Sequence, residues 1–262
     1  MTNDGTVFLM YHELSVAGRP LCHAEAGYAR YTVSVDDFRS HLEQLSQDGW
    51  TVKSVTEALL SFGNKSVCIT FDDGCETDLL WAAPLLIERG FGATFYITIG
   101  YLGQRGYLTE RQVRDLHGMG FEIGCHSLTH PYLTDINDAQ LCQETAGAKE
   151  RLEQICGSRI EHYSCPGGRW NARVADAVSG AGFRTMATSQ TGINTTNTDP
   201  FALTRVAVLG GTRSDVLLRT CRGERLLQAR LKETIRDSAK RLLGNRMYDS
   251  LRKSLLGRLK TG

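Results

Sequence analysis

The chain has 262 residues, which suits one large domain or two small ones, and its content of 41% hydrophobic and 23% charged residues is that of an ordinary globular protein. The formal net charge of +1 hides an asymmetry, because residues 222–262 carry a net +8 and the first 221 residues carry −7. A body this acidic argues against general binding of nucleic acid through its phosphates.

The first residues read MTNDGTVFLMYHEL, with no basic cluster before a short apolar run. This is not the pattern of a secretory signal, and no apolar run approaches the length of a membrane span. The sequence therefore predicts a cytoplasmic protein. Its eight cysteines are scattered without a CxxC pair, so we expect free thiols in a reducing compartment rather than a disulfide or zinc framework.

Seven strand-like runs alternate with helical patterns along the chain. The runs are 7–12, 66–71, 93–98, 121–125, 162–165, 185–189 and 204–208. Capping patterns at Ser34, Thr109 and Asn137 mark helix starts, and glycines at 49, 118, 157 and 180 lie where helices are expected to end. This alternation predicts an α/β fold with a largely parallel sheet, closed or nearly closed into a barrel.

The strand-like run at 66–71 ends in two adjacent carboxylates, Asp72 and Asp73, followed by a glycine. An Asp-Gly pair is common in hairpin turns, but residues 77–89 carry apolar side chains at helical spacing. The pattern is therefore strand, acidic loop, helix. In parallel α/β folds such a loop lies at the carboxyl end of the sheet, where catalytic groups collect.

Two histidines, His126 and His130, follow the strand-like run at 121–125. Their spacing is weak evidence for a metal site, because core or surface histidines also occur four apart. It gains weight because they too follow a predicted strand. Two histidines and one aspartate leave metal coordination positions open for water and substrate, and the second aspartate is then free to act as a general base.

The segments TFDDG at 70–74, HSLTH at 126–130 and YSCPGG at 163–168 occur in this order, preceded by LMYHEL at 9–14. Together they resemble the polysaccharide deacetylase family, carbohydrate esterase family 4, over about Val7 to Val208. The resemblance implies a distorted (β/α)7 barrel and metal-dependent removal of an acetyl group from a sugar. It implies Asp72 as the general base, and Asp73, His126 and His130 as ligands of a divalent ion, Zn²⁺ before Co²⁺, Ni²⁺ or Mn²⁺.

The third motif departs from the family pattern. Ser164 stands where the family often has an arginine that orients the base, so we expect Arg169, just past the two glycines, to be the alternative guanidinium. The backbone N–H near Gly167 is the expected oxyanion donor. Trp170 is expected to form part of the pocket wall or to stack on a sugar ring.

The general acid is a second departure. Many relatives end the domain with leucine, any residue and histidine, whereas this chain has Arg205 at the histidine position. Arginine stays protonated and is a poor proton donor, so we expect it to bind an anionic group of the substrate. His12, in MYHEL, is the substitute candidate for the acid; the alternative is that it only hydrogen-bonds its own loop.

These residues favour a metal-dependent deacetylase that hydrolyses the N-acetyl group of an amino sugar in a polysaccharide, an oligosaccharide or a lipid-linked glycan. One alternative is an amidohydrolase acting on a small non-sugar amide. Another is a carbohydrate-binding barrel that has lost turnover, which the replacements at Ser164 and Arg205 would explain.

The charge asymmetry divides the chain into a barrel over 1–221 and a basic tail over 222–262. Residues 224–259 carry two apolar stripes with basic residues on the other faces, which predicts amphipathic helices. We expect these helices to contact anionic lipid at the inner face of the membrane; the alternative is that they pack on the barrel or on a second copy of the chain.

Overall fold

A computed structural model of the chain describes residues 5–23, 25–63, 65–224 and 226. Its strands are β1 (Val7–Tyr11), β2 (Leu14–Ser15), β3 (Val33–Ser34), β4 (Thr51–Lys53), β5 (Ser66–Phe71), β6 (Thr94–Ile97), β7 (Glu122–Cys125), β8 (His162–Ser164), β9 (Thr185–Ala187) and β10 (Val206–Ala207). The predicted tail lies outside the described residues except for 222–224 and 226, so its amphipathic helices and its contact with membrane stay predictions.

Helices follow most strands. They are α1 (Ala26–Ala29), α2 (Val35–Gln47), α3 (Val55–Leu60), α4 (Ala83–Ile87), α5 (Glu110–Gly118), α6 (Asp138–Cys142), α7 (Ala148–Cys156), α8 (Ala172–Gly180) and α9 (Ser214–Cys221). A π-helical turn at Asp78–Ala82 leads into α4, and a second at Gln143–Gly147 joins α6 to α7. No helix in the described part of the chain is both long and apolar enough to cross a membrane.

The main sheet is parallel throughout, with strand order β10-β1-β5-β6-β7-β8-β9. All seven predicted strands are present in it. Strand β4 was not predicted, because it is only three residues long. It pairs with the first half of β5, from Ser66 to Cys68, whereas β6 pairs with the last two residues, Thr70 and Phe71. One edge of β5 is thus shared between two partners, which distorts the barrel.

Residues 203–207 close the ring. Leu203 N–H donates to the carbonyl of Met186 in β9, and Val206 and Ala207 then pair with β1 on the other side. Seven strands surround the core in this way, and helices lie outside them, so the fold is the distorted (β/α)7 barrel that the sequence predicts.

Strands β1 and β5 are buried along their whole length, as expected for central parallel strands that are covered on both faces. Phe71 at the end of β5 stacks on Phe95 of β6, with ring centroids 5.1 Å apart. Each predicted helix cap is present: the side chains of Ser34, Thr109 and Asn137 accept hydrogen bonds from the first turns of α2, α5 and α6. The buried strand β5 ends at Phe71, and the acidic loop begins directly after it.

Candidate active site

The acidic loop brings both of its carboxylates to one mouth of the barrel. Asp72 continues the ladder of β5, since its N–H donates to the carbonyl of Tyr11 at 3.0 Å. Asp73 then takes a left-handed conformation with φ of 82°, which breaks the side-chain alternation of a strand. As a result one Oδ of each aspartate lies near the same nitrogen, His126 Nε2, at 3.9 Å for Asp72 and 3.5 Å for Asp73.

The two histidines lie in the loop after β7, the next but one strand in the sheet. His126 Nδ1 lies 2.8 Å from the carbonyl oxygen of Ser164, and because a carbonyl only accepts, Nδ1 carries the proton. This leaves His126 Nε2 unprotonated and facing Asp73. His130 Nε2 lies 3.4 Å from the same Asp73 Oδ1, and the two imidazole centroids are 4.9 Å apart.

These three side chains fit a divalent cation. Their ligand atoms lie within 4.8 Å of one another, and Asp73 Oδ1 is a buried oxygen with no hydrogen-bond donor among the described residues. Two imidazole nitrogens and one carboxylate oxygen form a donor set that suits zinc and similar ions and leaves coordination positions open. The structure thus brings together the three residues that the sequence predicts as ligands.

The local electrostatics also favour a cation. Burial, with a further contribution from the charge of Asp72, raises the pKa of Asp73 to about 6 against an opposing effect of His12. Burial lowers the pKa of His126 to about 3 and moves that of His130 in the same direction. Both histidines are therefore neutral near pH 7, which is the form that binds metal.

Three of the four non-glycine residues with positive φ in the described part of the chain lie in these two loops: Asp73, Ser127 and His130. Such conformations cost of the order of 1–3 kcal/mol each, so their neighbours must hold them in place. The Ser127 hydroxyl accepts from His130 N–H at 2.9 Å. Glu144, in the second π-helical turn, accepts from the N–H groups of Leu128 and Thr129, both at 2.8 Å.

Asp72 has a different partner from the one that the sequence suggests. Arg205 Nη1 and Nη2 donate to its two oxygens at 2.7 and 2.8 Å, a bidentate pair that is buried on both sides. The remaining N–H groups of Arg205 donate to Thr188 O, Thr70 Oγ1 and Ser164 Oγ, so all five have acceptors. The expectation that Arg205 binds substrate is therefore wrong, because its guanidinium is buried and fully used.

This pair sets the charge of Asp72. Burial alone would raise its pKa, but the Arg205 guanidinium, with His126, outweighs burial and holds the pKa of Asp72 well below its usual range. Ser164 supports the pair with its hydroxyl, 3.2 Å from Asp72 Oδ2. Arg205 thus takes the place of the arginine that the third motif lacks at Ser164. The sequence signal for this exchange is the arginine that replaces histidine at position 205.

The segment after β8 holds the other predicted residues. Gly167 is exposed, with a positive φ of 60°, and a Cβ there would lie 2.6 Å from the ring of Tyr132. Arg169 does not take the place of the family arginine, since its guanidinium carbon lies 3.7 Å from the centroid of the half-exposed Tyr132 ring. Trp170 is half-buried beside them. Oxyanion stabilisation by Gly167 and sugar stacking by Trp170 stay predictions.

His12 lies at the same mouth. A positive charge on His12 would lower the pKa of both Asp72 and Asp73. The imidazole is half-buried with its centroid 5.1 Å from that of Tyr31, and Nδ1 has no hydrogen-bond partner among the described residues. The role of His12 as the proton donor stays a prediction.

The sequence is similar to a known protein family and to several of its members. Residues 60–186 match the family model described as polysaccharide deacetylase. The chain is 28% identical over 209 residues to the putative polysaccharide deacetylase YxkH of Bacillus subtilis, covering 78% of this chain and 71% of that protein. It is 30% identical over 125 residues to a chitooligosaccharide deacetylase of Bradyrhizobium, covering 46% of this chain and 54% of that protein.

The fold is also found in solved structures. A Streptococcus pyogenes deacetylase, PplD, superposes with a TM-score of 0.74 and 23% sequence identity, covering 83% of this chain and 98% of that one. IcaB from Ammonifex degensii gives a TM-score of 0.68 with 22% identity, over 79% of this chain and 93% of that one. At this level of identity the likeness concerns the barrel itself.

Proposed function

Because the chain belongs to the polysaccharide deacetylase family, we propose that it is a metal-dependent hydrolase that removes the N-acetyl group of an amino sugar in a polysaccharide, an oligosaccharide or a lipid-linked glycan. The observation that carries this proposal is Asp73 Oδ1, which has no hydrogen-bond partner in the described part of the chain and lies 3.5 Å from His126 Nε2 and 3.4 Å from His130 Nε2. A divalent cation would satisfy all three groups at once.

Asp73, His126 and His130 would hold the ion. When bound, a divalent cation supplies Lewis-acid chemistry, that is, polarisation of an acetyl carbonyl and acidification of water. Asp72 takes the proton from the attacking water, since it lies beside the ligand set but its own oxygens are held by Arg205. The ion pair keeps this base ionised, which is the form that can accept a proton.

The leaving group needs a proton, because an unprotonated amine anion is expelled very poorly. His12 is the proposed donor, as the half-buried imidazole that acts electrostatically on both aspartates. The backbone near Gly167 is the proposed donor to the developing oxyanion.

The reason for considering a carbohydrate-binding barrel without turnover no longer holds. That hypothesis rested on Ser164 and Arg205 in place of expected catalytic partners, whereas Arg205 provides the base with a guanidinium in a different way. Hydrolysis of a small non-sugar amide, the other alternative, is distinguished from the proposal by comparing a sugar substrate with a non-sugar amide.

The test combines metal analysis of the full chain with acetate release from acetylated amino-sugar oligomers and from a small aryl acetamide. We expect Asp73→Ala, His126→Ala and His130→Ala to lose bound metal, and Asp72→Asn to keep metal and lose turnover by about 10²- to 10⁴-fold. Asp176→Asn, an exposed carboxylate on α8, is the matched control. Bound metal with hydrolysis of the acetamide alone would overturn the sugar assignment, and near-normal turnover of Asp72→Asn would overturn the role of the base.

A further inference from the structure

A second cluster of metal-binding side chains lies behind the acidic loop and takes no part in the proposed reaction. It consists of Glu13, which follows β1, Cys22 in the loop after β2, and Cys75, two residues past Asp73. One ligand atom from each lies within 4.8 Å of the other two. Glu13 and Cys75 are fully buried, and Cys22 is partly exposed, so the cluster opens to solvent on one side.

We propose that Glu13, Cys22 and Cys75 form a structural site for a thiophilic divalent cation, with Zn²⁺ as the reference ion. The two sulfur atoms are 3.6 Å apart. In a tetrahedral zinc site with Zn–S bonds of about 2.3 Å, two sulfur ligands are about 3.8 Å apart, so the thiols already have nearly the required separation. A disulfide would require the same atoms to approach to about 2.05 Å.

A divalent ion would offset the negative charge of two thiolates in this cluster. Glu13 Oε1 lies 2.6 Å from Arg19 Nη1, and Arg19 also pairs with Glu76. Glu13 Oε2 accepts from Cys22 N–H at 2.9 Å. Two thiolates carry two negative charges, which a divalent cation cancels. Without an ion, the hydrogen bond from Cys22 and, second, burial raise the pKa of Cys75 well above its usual range. Metal binding would therefore release protons from the cluster.

Asp78 is a further buried carboxyl beside the cluster. Both of its carboxyl oxygens are buried and lack a hydrogen-bond partner among the described residues. Its backbone N–H donates to the carbonyl of Cys75 at 3.0 Å. Burial raises the pKa of Asp78, and the charges of Asp73, Cys22 and Glu13 raise it further, so the carboxyl lies within electrostatic reach of the cluster.

Other groups contact both sulfur atoms. The Tyr28 hydroxyl lies 3.4 Å from Cys75 Sγ. The Gly106 carbonyl oxygen lies 3.1 Å from Cys22 Sγ and also accepts from Arg19 and from Glu76 N–H. A Cβ on Gly106 would lie 2.9 Å from Cys22 Sγ. An ion held here would tie the loop that carries Cys22 to the acidic loop that carries Asp73, without contacting the proposed ligands His126 and His130.

Cobalt substitution of the full, reduced chain tests the proposal, because only this second site contains sulfur. We expect Co²⁺ to produce a thiolate-to-cobalt charge-transfer band that is lost in Cys22→Ser and in Cys75→Ser. The band should persist in Cys142→Ser, which alters an exposed cysteine, and in His130→Ala, which damages the other site. Zinc content should fall by one equivalent per chain in Cys22→Ser.

Cobalt bound to the wild-type chain without a thiolate band would overturn the proposal, whatever the variants do. A band that survives in Cys22→Ser would overturn it as well. If mild hydrogen peroxide removes two of the eight thiols and Zn²⁺ gives no protection, the pair is a disulfide-forming couple rather than a metal site. None of these outcomes depends on deacetylation, so failure here and failure of the proposed function are distinguishable.

Discussion

Arg205 and Asp72 form a buried bidentate ion pair across the barrel, although 133 residues separate them in the sequence. The fork of the guanidinium fixes the plane of the carboxylate, and Thr70, Ser164 and Thr188 fix the guanidinium in turn. The proposed base therefore has one orientation and one charge state. Breaking such a pair on one side costs about 3–5 kcal/mol of stability, because the remaining charge stays buried.

Arg205→Lys removes the fork and keeps a positive charge. Lysine keeps the charge but loses the bidentate hydrogen bonds that also lower the pKa of Asp72, so we expect that pKa to rise. A base with a raised pKa becomes protonated at higher pH, so the acid limb of the kcat/KM profile should move upward. Arg184→Lys, in an exposed pair with Glu161, is the control. An acid limb at its original pH would show that Arg205 does not set the charge of the base.

Exchanging Arg205 and Ser164 between their two positions is expected to restore part of the activity that Arg205→Ser loses. Ser164 Oγ already contacts both Arg205 Nη2, at 2.8 Å, and Asp72, so an arginine at position 164 starts beside the carboxylate. We expect the double variant Arg205→Ser, Ser164→Arg to recover at least tenfold in kcat/KM over Arg205→Ser, which is about 1.4 kcal/mol of transition-state stabilisation. Equal kcat/KM values for Arg205→Ser and the double variant would show that an arginine at position 164 cannot replace Arg205.

His12→Ala should slow hydrolysis of N-acetyl groups by about 10²- to 10⁴-fold and leave metal content intact. The physical reason is that an amine must be protonated to leave, whereas an aryl oxide leaves without help. An aryl acetate is therefore the matched substrate, and its hydrolysis should change little. An equal loss on both substrates would indicate that His12 shapes the site rather than donating a proton.

Glu144→Gln should weaken metal binding without removing any ligand. The Glu144 carboxylate accepts from the backbone of Leu128 and Thr129 and from the Thr129 hydroxyl, and so holds the loop between His126 and His130. Loss of such outer contacts typically costs 10- to 100-fold in affinity, which competition with a chelator measures. Glu150→Gln, an exposed residue on α7, is the control. Equal affinity in both variants would contradict a positioning role.

We expect the Glu122 carboxylate to stabilise the folded protein to an extent that depends on pH. Its carboxylate accepts from Val55 and Thr56 N–H at the start of α3 and lies 3.3 Å from His162 Nε2. Burial would raise the pKa of Glu122, but the contact with His162 and the hydrogen bonds outweigh it and lower the pKa.

A lowered pKa in the folded state means that the contribution is complete above the unfolded pKa of about 4.3 and is lost as the pH falls through the folded value. We expect Glu122→Gln to lower the free energy of unfolding by about 1.5–3 kcal/mol at pH 7 and by much less at pH 3. Urea unfolding at both pH values measures this, with Glu161→Gln as the exposed control. A difference that is independent of pH would contradict the assignment.

The sequence predicted the elements that depend on local patterns. Seven strands with intervening helices follow from apolar runs and caps, and the ligand set follows from two motifs that each come directly after a strand. The partner of Asp72 could not be predicted in this way, because it depends on which residue of a distant segment reaches the base. Glu144 and the Cys22–Cys75 contact were missed for the same reason, since their partners lie on other elements.

Closure of the ring by residues 203–207 makes the pairing of Asp72 depend on a segment that is synthesised after every predicted metal ligand. The segment that joins β9 to β1 is also the segment that carries Arg205, so a nascent chain still lacking it would have every predicted metal ligand and an unpaired Asp72. We expect such a fragment, ending before residue 203, to release no acetate even with metal supplied. Synthesis of this segment would then be the step that gives the nascent protein an ionised, oriented base.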